Sequence, residues 1–431
     1  MKDVVIIRSQ KESEWVSCKS IVSNLEASYA KQRNIRVRDI LYFDNYLNSY
    51  EIHLLAKKII AIDAFEIIFI DHKPHPAPLI WAIHKLAPDY KVSLIFHVFG
   101  DFVLDSTAWY SMNGLLKNYP VHFFCASQKQ KNLIDSLLIS DDCSSVCPFP
   151  VDKSVFYFDQ NERNQLRSEL GLVESDFLFI YTGRASLQKN VLELTKSMHS
   201  CSKISGDNLH FYFAGPFDDL GIPYKGYQNP PGVYFQQWLK LLNNHPSSRI
   251  CYINNLGASE LRRYCNAADC FISISTHNDE DFGMSPAEAM MCGLPLILSD
   301  WGGYGSFKHI NPEQCELIPI NPERNLRILP DLSLVQKVIY KKSFEIASFD
   351  ERTLISQNAD KYLSIDSVSN YLSSKISQRM QSSFLGFNSR FAKLSSVFKS
   401  NPKRPFVDPV GNYSDYYFDI YAPYFQATKH D

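Results

Sequence analysis

Residues 270–300 read CFISISTHNDEDFGMSPAEAMMCGLPLILSD. Two apolar runs, CFISIS (270–275) and LPLILSD (294–300), flank a polar turn and a stretch that opens a helix. Neither run alternates with polar residues, which is how strands buried on both faces of a parallel sheet read. A strand, a helix and a second such strand make a βαβ unit with a right-handed crossover. Working outward, the same cadence recurs in VVIIRS (4–9), EIIFIDH (66–72), VSLIFHVFGD (92–101), VHFFCAS (121–127), FLFIYTGR (177–184), LHFYFAGP (209–216) and RICYIN (249–254). The expected fold class is α/β, built from parallel sheets.

The 431 residues exceed one typical domain. The stretch 140–160, SDDCSSVCPFPVDKSVFYFDQ, has two prolines and no helical period. It is read as the linker, with four or five strands on each side. The expected divisions are 1–150, 151–365 and a helical, basic extension 366–431 that crosses back to the first domain. With 45% hydrophobic residues, 21% charged residues and a formal net charge of -2, the chain has a globular composition and no global call for nucleic acid. None of the ten cysteines forms a CxxC pair, and most sit in apolar runs as small hydrophobes, so reduced thiols are expected. No apolar run reaches the ~20 residues of a membrane span, and MKDVVIIRS enters a strand almost at once. The expected location is cytoplasmic, extending to the inner face of a membrane.

From 367 to 407 there is no acidic residue, while Lys375, Arg379, Arg390, Lys393, Lys399, Lys403 and Arg404 interleave with aromatics. Such a segment packs an apolar face on the body or lies on an anionic membrane surface.

Ligands of open parallel α/β sheets bind beyond the carboxyl ends of the strands. There the sequence places Asp71 and His72, His97 and Asp101, Ser127, Arg184, Gly215 and Pro216, Asn254 and Asn255, Ser275 and Asp300. Within EDFGMSPAE (280–288), Ser285, Pro286 and Glu288 have the spacing of a capping box. That reading leaves Glu280 and Gly283 unexplained. In the other reading, free amides of Gly283, Met284 and Ser285 hold an anion, and the two carboxylates accept from sugar hydroxyls. YTGRASLQKN (181–190) adds Arg184 and Lys189, either solvated charges or a pair for phosphate oxygens. His72 and His75 in DHKPHP read as loop residues rather than metal ligands.

TGRASLQKN (182–190) followed by YCNAADCFISISTHNDEDFGMSPAEAMMCGLPLILSDWGGY (264–304) resembles the donor-binding half of glycosyltransferase family 4 enzymes, with their Glu-x7-Glu pattern at Glu280 and Glu288. The resemblance is clear over about 175–305. It is weaker over 90–160, through FHVFGD (96–101) and FPVDKSVF (149–156), and does not reach the last fifty residues. It implies the GT-B fold: two Rossmann-like, doubly wound parallel-sheet domains facing across a cleft. It implies a retaining, metal-independent hexosyltransferase using a UDP- or GDP-sugar as co-substrate, with no cofactor. Arg184, Lys189, Glu280 and His97 would be catalytic. Arg184 and Lys189, with the amides of Gly283, Met284 and Ser285, would meet the diphosphate; Gly183 would belong to the donor-binding set; Glu288 would meet the ribose; Glu280 and His97 the transferred sugar; and Asn255 and Leu256 the base. The expected acceptor is a glycan or lipid-linked glycan of bacterial lipopolysaccharide or capsule synthesis. Many relatives carry Gly-Gly after the first strand; RSQKESEW (8–15) has no glycine, so close backbone approach to phosphate is not expected there. Alternatives are a GT-B nucleotide-sugar epimerase and a non-catalytic binding partner of the same fold.

Overall fold

All nine apolar runs become strands, and the chain folds into two units, described in turn from a computed structural model. The structure describes every residue except 1, 10–15, 45, 71–74, 141, 206–207, 223–228, 245–248, 322–326, 380–383 and 427–431. The RSQKESEW turn beyond Ser9, and Asp71 and His72, thus lie outside the described residues.

The first unit comprises 1–151 and 363–402. Its sheet holds β1 (Lys2–Arg8), β2 (Ile35–Tyr42), β3 (Glu66–Phe69), β4 (Ser93–His97), β5 (Val121–Cys125) and β6 (Ser144–Val146), in the order β2-β1-β3-β4-β5-β6. All neighbours are parallel. β3, β4 and β5 are buried at every residue, as unbroken apolar runs require. The helix Ser389–Ser400 buries Phe391, Leu394 and Phe398 in this unit. Phe391 stacks on Phe102 with ring centroids 5.7 Å apart. The apolar side of this helix, which lies within the basic 367–407 stretch, is therefore packed on the protein.

The second unit comprises 152–362 and 403–431. Its strands are β7 (Phe177–Thr182), β8 (Leu209–Ala214), β9 (Ile250–Tyr252), β10 (Cys270–Ser273), β11 (Leu296–Ser299) and β12 (Cys315–Ile318), in the order β12-β11-β10-β7-β8-β9. These too are parallel throughout. Phe177, Phe179, Tyr181, Phe211, Phe213 and Ile272 share one core with Trp238 and Ile339. The chain runs outward from β7 through β8 to β9, then returns to start β10 on the other side of β7. The pair β7/β10 is thus a topological switch point, where a crevice opens beyond the strand ends.

Among the described residues each sheet has six strands, not four or five. β2, β6 and β12 carry no continuous apolar run. β2 (IRVRDILY) exposes several of its residues, β6 has three residues inside the expected linker, and β12 (CELI) exposes Glu316. All three are edge strands, where one side lacks a neighbour and short or charged segments suffice. The stretch 366–431, read as one extension, is divided between the two units. Among the described residues no disulfide links any of the ten cysteines. Among the described residues no helix is long and apolar enough to cross a membrane, and no group of three or more His, Cys, Asp or Glu side chains is arranged to hold a metal ion.

Candidate functional site

The switch point of the second unit is built by glycine. Gly183 and Gly215 both have left-handed backbones, φ 132° and 133°. The Gly183 amide donates to Ala214 O (2.9 Å) and the Gly215 amide to Asn254 O (2.9 Å). A Cβ on Gly215 would run into the Gly183 backbone. The ends of β7, β8 and β9 are therefore drawn together as only glycine permits. Arg184 follows, its guanidinium paired with Asp218. Leu187–Lys189 form one tight turn that ends at Asn190, held at φ 56°. The Asn190 Nδ2 donates to Ile274 O (2.8 Å) and Thr276 Oγ1 (3.1 Å), and Arg327 donates to its Oδ1 at 2.7 Å. The turn carrying Lys189 is thereby fastened to the loop that leaves β10.

That loop brings Glu280 to Lys189, and the two form an ion pair in which Glu280 is buried and Lys189 half-buried. Burial acts to raise the Glu280 pKa, but the Lys189 ammonium and the Ser275 hydroxyl outweigh it and hold the carboxyl below its ordinary value. The loop is supported along its length. Trp301 Nε1 donates to His277 O (2.8 Å), the Gly303 amide to Glu280 O (2.8 Å) and Asn278 Nδ2 to Tyr417 Oη (3.1 Å).

The helix Met284–Met291 begins at Gly283, whose φ of 104° turns the chain against the Tyr304 ring. The capping box is not formed: Ser285 lies inside the helix, Gly283 is the N-cap, and no side chain caps the first turn. Its amides have no intrahelical acceptors and carry the positive end of the helix dipole. A Cβ on Gly183 would lie 3.6 Å from Ser285 Oγ, so this helix start abuts the end of β7. Met284 is buried and Ser285 half-buried. Glu288, freed from the capping role, makes no side-chain hydrogen bond among the described residues and is half-buried. Burial pushes its pKa up to about 8, an effect that water at its open edge tempers.

The fold thus gathers Gly183, Lys189, Glu280, Gly283, Met284, Ser285 and Glu288, with Arg184 on the same turn as Lys189. Asn255 is exposed and Leu256 half-buried just beyond β9, beside the Gly215 turn through Asn254. His97 ends β4 in the first unit, buried, its Nε2 2.8 Å from Tyr29 Oη. Sequence reading missed Asp218, His277, Asn278, Trp301 and Tyr304. All but Asp218 fall in or just after the stretch that decided the fold, yet their roles depend on which groups the loop turns inward.

Residues 162–308 match the family described as Glycosyl transferases group 1. No curated protein matches the chain. Among solved structures, HepE of Anabaena in complex with UDP and glucose is similar at 13% identity and TM-score 0.60, over 88% of this chain and 100% of that one. Sucrose-phosphate synthase from Thermosynechococcus elongatus is similar at 13% identity and TM-score 0.59, over 88% and 99%. A glycosyltransferase from Rickettsia africae ESF-5 is similar at 14% identity and TM-score 0.63, over 88% and 99%. The chain has the GT-B fold, and its residues 162–308 are similar to the Glycosyl transferases group 1 family.

Proposed function

We propose that the protein is a retaining, metal-independent glycosyltransferase that moves a hexosyl group from a UDP- or GDP-sugar to a glycan or lipid-linked glycan. One observation carries the reading: a lysine and a carboxylate from the two sides of the β7/β10 switch point pair beside an uncapped helix start. Cation, carboxylate and free amides suit a ligand that carries both phosphate and hydroxyl groups.

In this reading Arg184, Lys189 and the amides of Gly283, Met284 and Ser285 take the donor diphosphate. Glu288 accepts from the ribose hydroxyls, Glu280 binds the transferred sugar, and Asn255 and Leu256 flank the base. The role of His97 at the sugar rests on the resemblance alone. Without ligand, Lys189 is neutralised by Glu280. An arriving diphosphate shares the ammonium and releases carboxylate oxygens to the sugar. As the bond from C1 to the diphosphate oxygen breaks, negative charge grows on that oxygen, where Arg184, Lys189 and the amides oppose it. The acceptor hydroxyl bonds to C1 on the same face and its proton passes to the leaving phosphate oxygen.

The acceptor belongs, by family resemblance, to bacterial surface polysaccharide such as lipopolysaccharide or capsule, built in the cytoplasm or at the inner membrane face. With Phe391, Leu394 and Phe398 buried, any membrane contact of 367–407 falls to exposed charges such as Lys393 and Lys399. The test is thermal shift against UDP, GDP, ADP, CMP and their sugars, then donor hydrolysis with those that bind. One base class should raise the melting temperature by mass action and its sugar be slowly released. No shift with any nucleotide would overturn the reading.

A further inference from the structure

The loop from β10 holds a group with no place in that account. His277 is 2% exposed. Its Nδ1 accepts a hydrogen bond from the Asp279 amide at 2.8 Å, so the ring proton of the neutral form sits on Nε2. That Nε2 is buried and has no hydrogen-bond partner among the described residues. The backbone leaves the ring little freedom to reach water. His277 O accepts from Trp301 Nε1 (2.8 Å) and the Glu280 amide (2.9 Å), and its own amide donates to Ser275 Oγ (3.2 Å). Lys189, Arg184 and Glu280 are the charged groups that act on the ring. Burial, then the two cations, keep its pKa well below the ordinary histidine value. The imidazole is thus a neutral donor with a fixed tautomer, buried beside Lys189, Arg184 and Glu280 and without a partner for Nε2 among the described residues.

Resting on the glycosyltransferase reading, we propose that His277 Nε2–H donates to a hydroxyl of the transferred sugar, as a specificity-determining contact beside Glu280. The diphosphate already has two cations and a helix start, for which a single neutral N–H adds little. A sugar hydroxyl has both a donor and an acceptor side. Glu280, ionised, only accepts; His277 Nε2–H only donates. The turn that bonds His277 O to the Glu280 amide sets the two groups on one short loop, where one hydroxyl satisfies both. An epimer lacking that hydroxyl orientation leaves a buried donor unpaired, which costs affinity.

Calorimetry on the full chain tests this with UDP and UDP-glucose, and with GDP and GDP-mannose. His277→Phe removes the N–H, and His277→Gln restores a donor near the same place. The Phe variant should bind the matching nucleotide-sugar about 10-fold or more weakly while binding of the bare diphosphate stays within about twofold. The Gln variant should recover part of the loss. Equal losses for sugar nucleotide and bare diphosphate, or no loss for either, would overturn the contact while leaving the transferase reading intact. If His277→Phe does not fold, unchanged relative affinities in His277→Gln and His277→Asn overturn it equally. A wild-type protein that binds no nucleotide would remove the transferase reading, and this contact with it.

Discussion

Lys189 and Arg184 are similarly shielded, with side chains 17% and 20% exposed, but their carboxylates are not: Glu280 is 8% exposed and Asp218 28%. The two cations should therefore respond differently to removal. Lys189→Ala leaves a buried carboxylate uncompensated, which typically costs about 3–5 kcal/mol. Arg184→Ala breaks a part-exposed pair worth about 1 kcal/mol or less. Under the proposed function both should lower turnover by about 100-fold or more, because each would remove charge opposite the leaving phosphate. Arg184→Ala should do so with a nearly unchanged melting temperature, and Lys189→Ala with a clearly lower one. Near-normal turnover in a folded Arg184→Ala protein would sink its phosphate role. Glu288 offers a second test, through its sign. Its folded pKa, about 8, lies above the ordinary carboxylate value, so the folded state holds a proton that the unfolded chain gives up. Stability attributable to this group falls as pH rises from about 4.5 towards 8. Glu288→Gln should melt higher than wild type near pH 8 and nearly the same at pH 4.5, yet bind the nucleotide more weakly. A variant that melts lower at pH 8 would show that the carboxylate is stabilised by partners instead.

At the scale of elements, the helix Met284–Met291 depends on how its chain enters. Gly283 sits at φ 104°, and a Cβ there would meet Tyr304 Cε1 at 2.7 Å and Pro286 Cγ at 2.9 Å. A left-handed backbone costs an ordinary residue about 1–2 kcal/mol, and the Tyr304 ring is itself held by a 2.8 Å hydrogen bond to Ser273. Under the proposed function Gly283→Ala should lower the melting temperature and weaken nucleotide binding together, because relief of the clash would move the amides proposed to hold the diphosphate. Melting by calorimetry and affinity by titration check it; a stable variant with full affinity would mean that these amides do not hold the ligand. This helix also marks how far the sequence was legible. CFISIS and LPLILSD announce buried strands, because both faces of β10 and β11 are covered and every position must be apolar. The helix start was legible too, through Gly283 and Pro286. Its cap was not. Ser285, Pro286 and Glu288 have capping-box spacing, but the turn is set two residues earlier by packing of Gly283 against Tyr304, and that contact is made twenty-one residues away along the chain. Lys189 and Glu280 could be listed separately from sequence, yet their pairing depends on Asn190 bridging to Ile274 and Thr276. His277 gave no signal at all, since a buried donor is recognised only by what surrounds it. β2, β6 and β12 were lost for the opposite reason: edges need no apolar run.

At the scale of the whole molecule, the first unit is discontinuous in sequence, joining 363–402 to 1–151. Ile139 N donates to Gly386 O (2.9 Å), Phe387 N to Asn113 Oδ1 (2.9 Å), and Asn388 Nδ2 to Ser136 O (3.0 Å). Phe384 packs on Phe123 with centroids 6.3 Å apart, and Phe387 and Phe391 pack on Phe102 at 6.4 and 5.7 Å. Burying a phenylalanine contributes about 1.5–3 kcal/mol, so three of them amount to a gross ~5–9 kcal/mol. That is comparable with the whole net stability of a domain, about 5–15 kcal/mol. A protein ending at residue 151 would expose Phe102 and Phe123 and leave the Gly386 and Asn388 bonds unmade. It should fail to melt cooperatively, as read by near-ultraviolet circular dichroism and calorimetry. Joining 363–402 to 1–151 through a flexible linker should restore a single cooperative transition, since the returning segment closes a long loop at a cost that grows only slowly with its length. If 1–151 alone unfolds cooperatively, the returning segment is an accessory to that unit. If instead it folds only when 363–402 is supplied, even as a separate peptide, the C-terminal segment is part of the first unit's core.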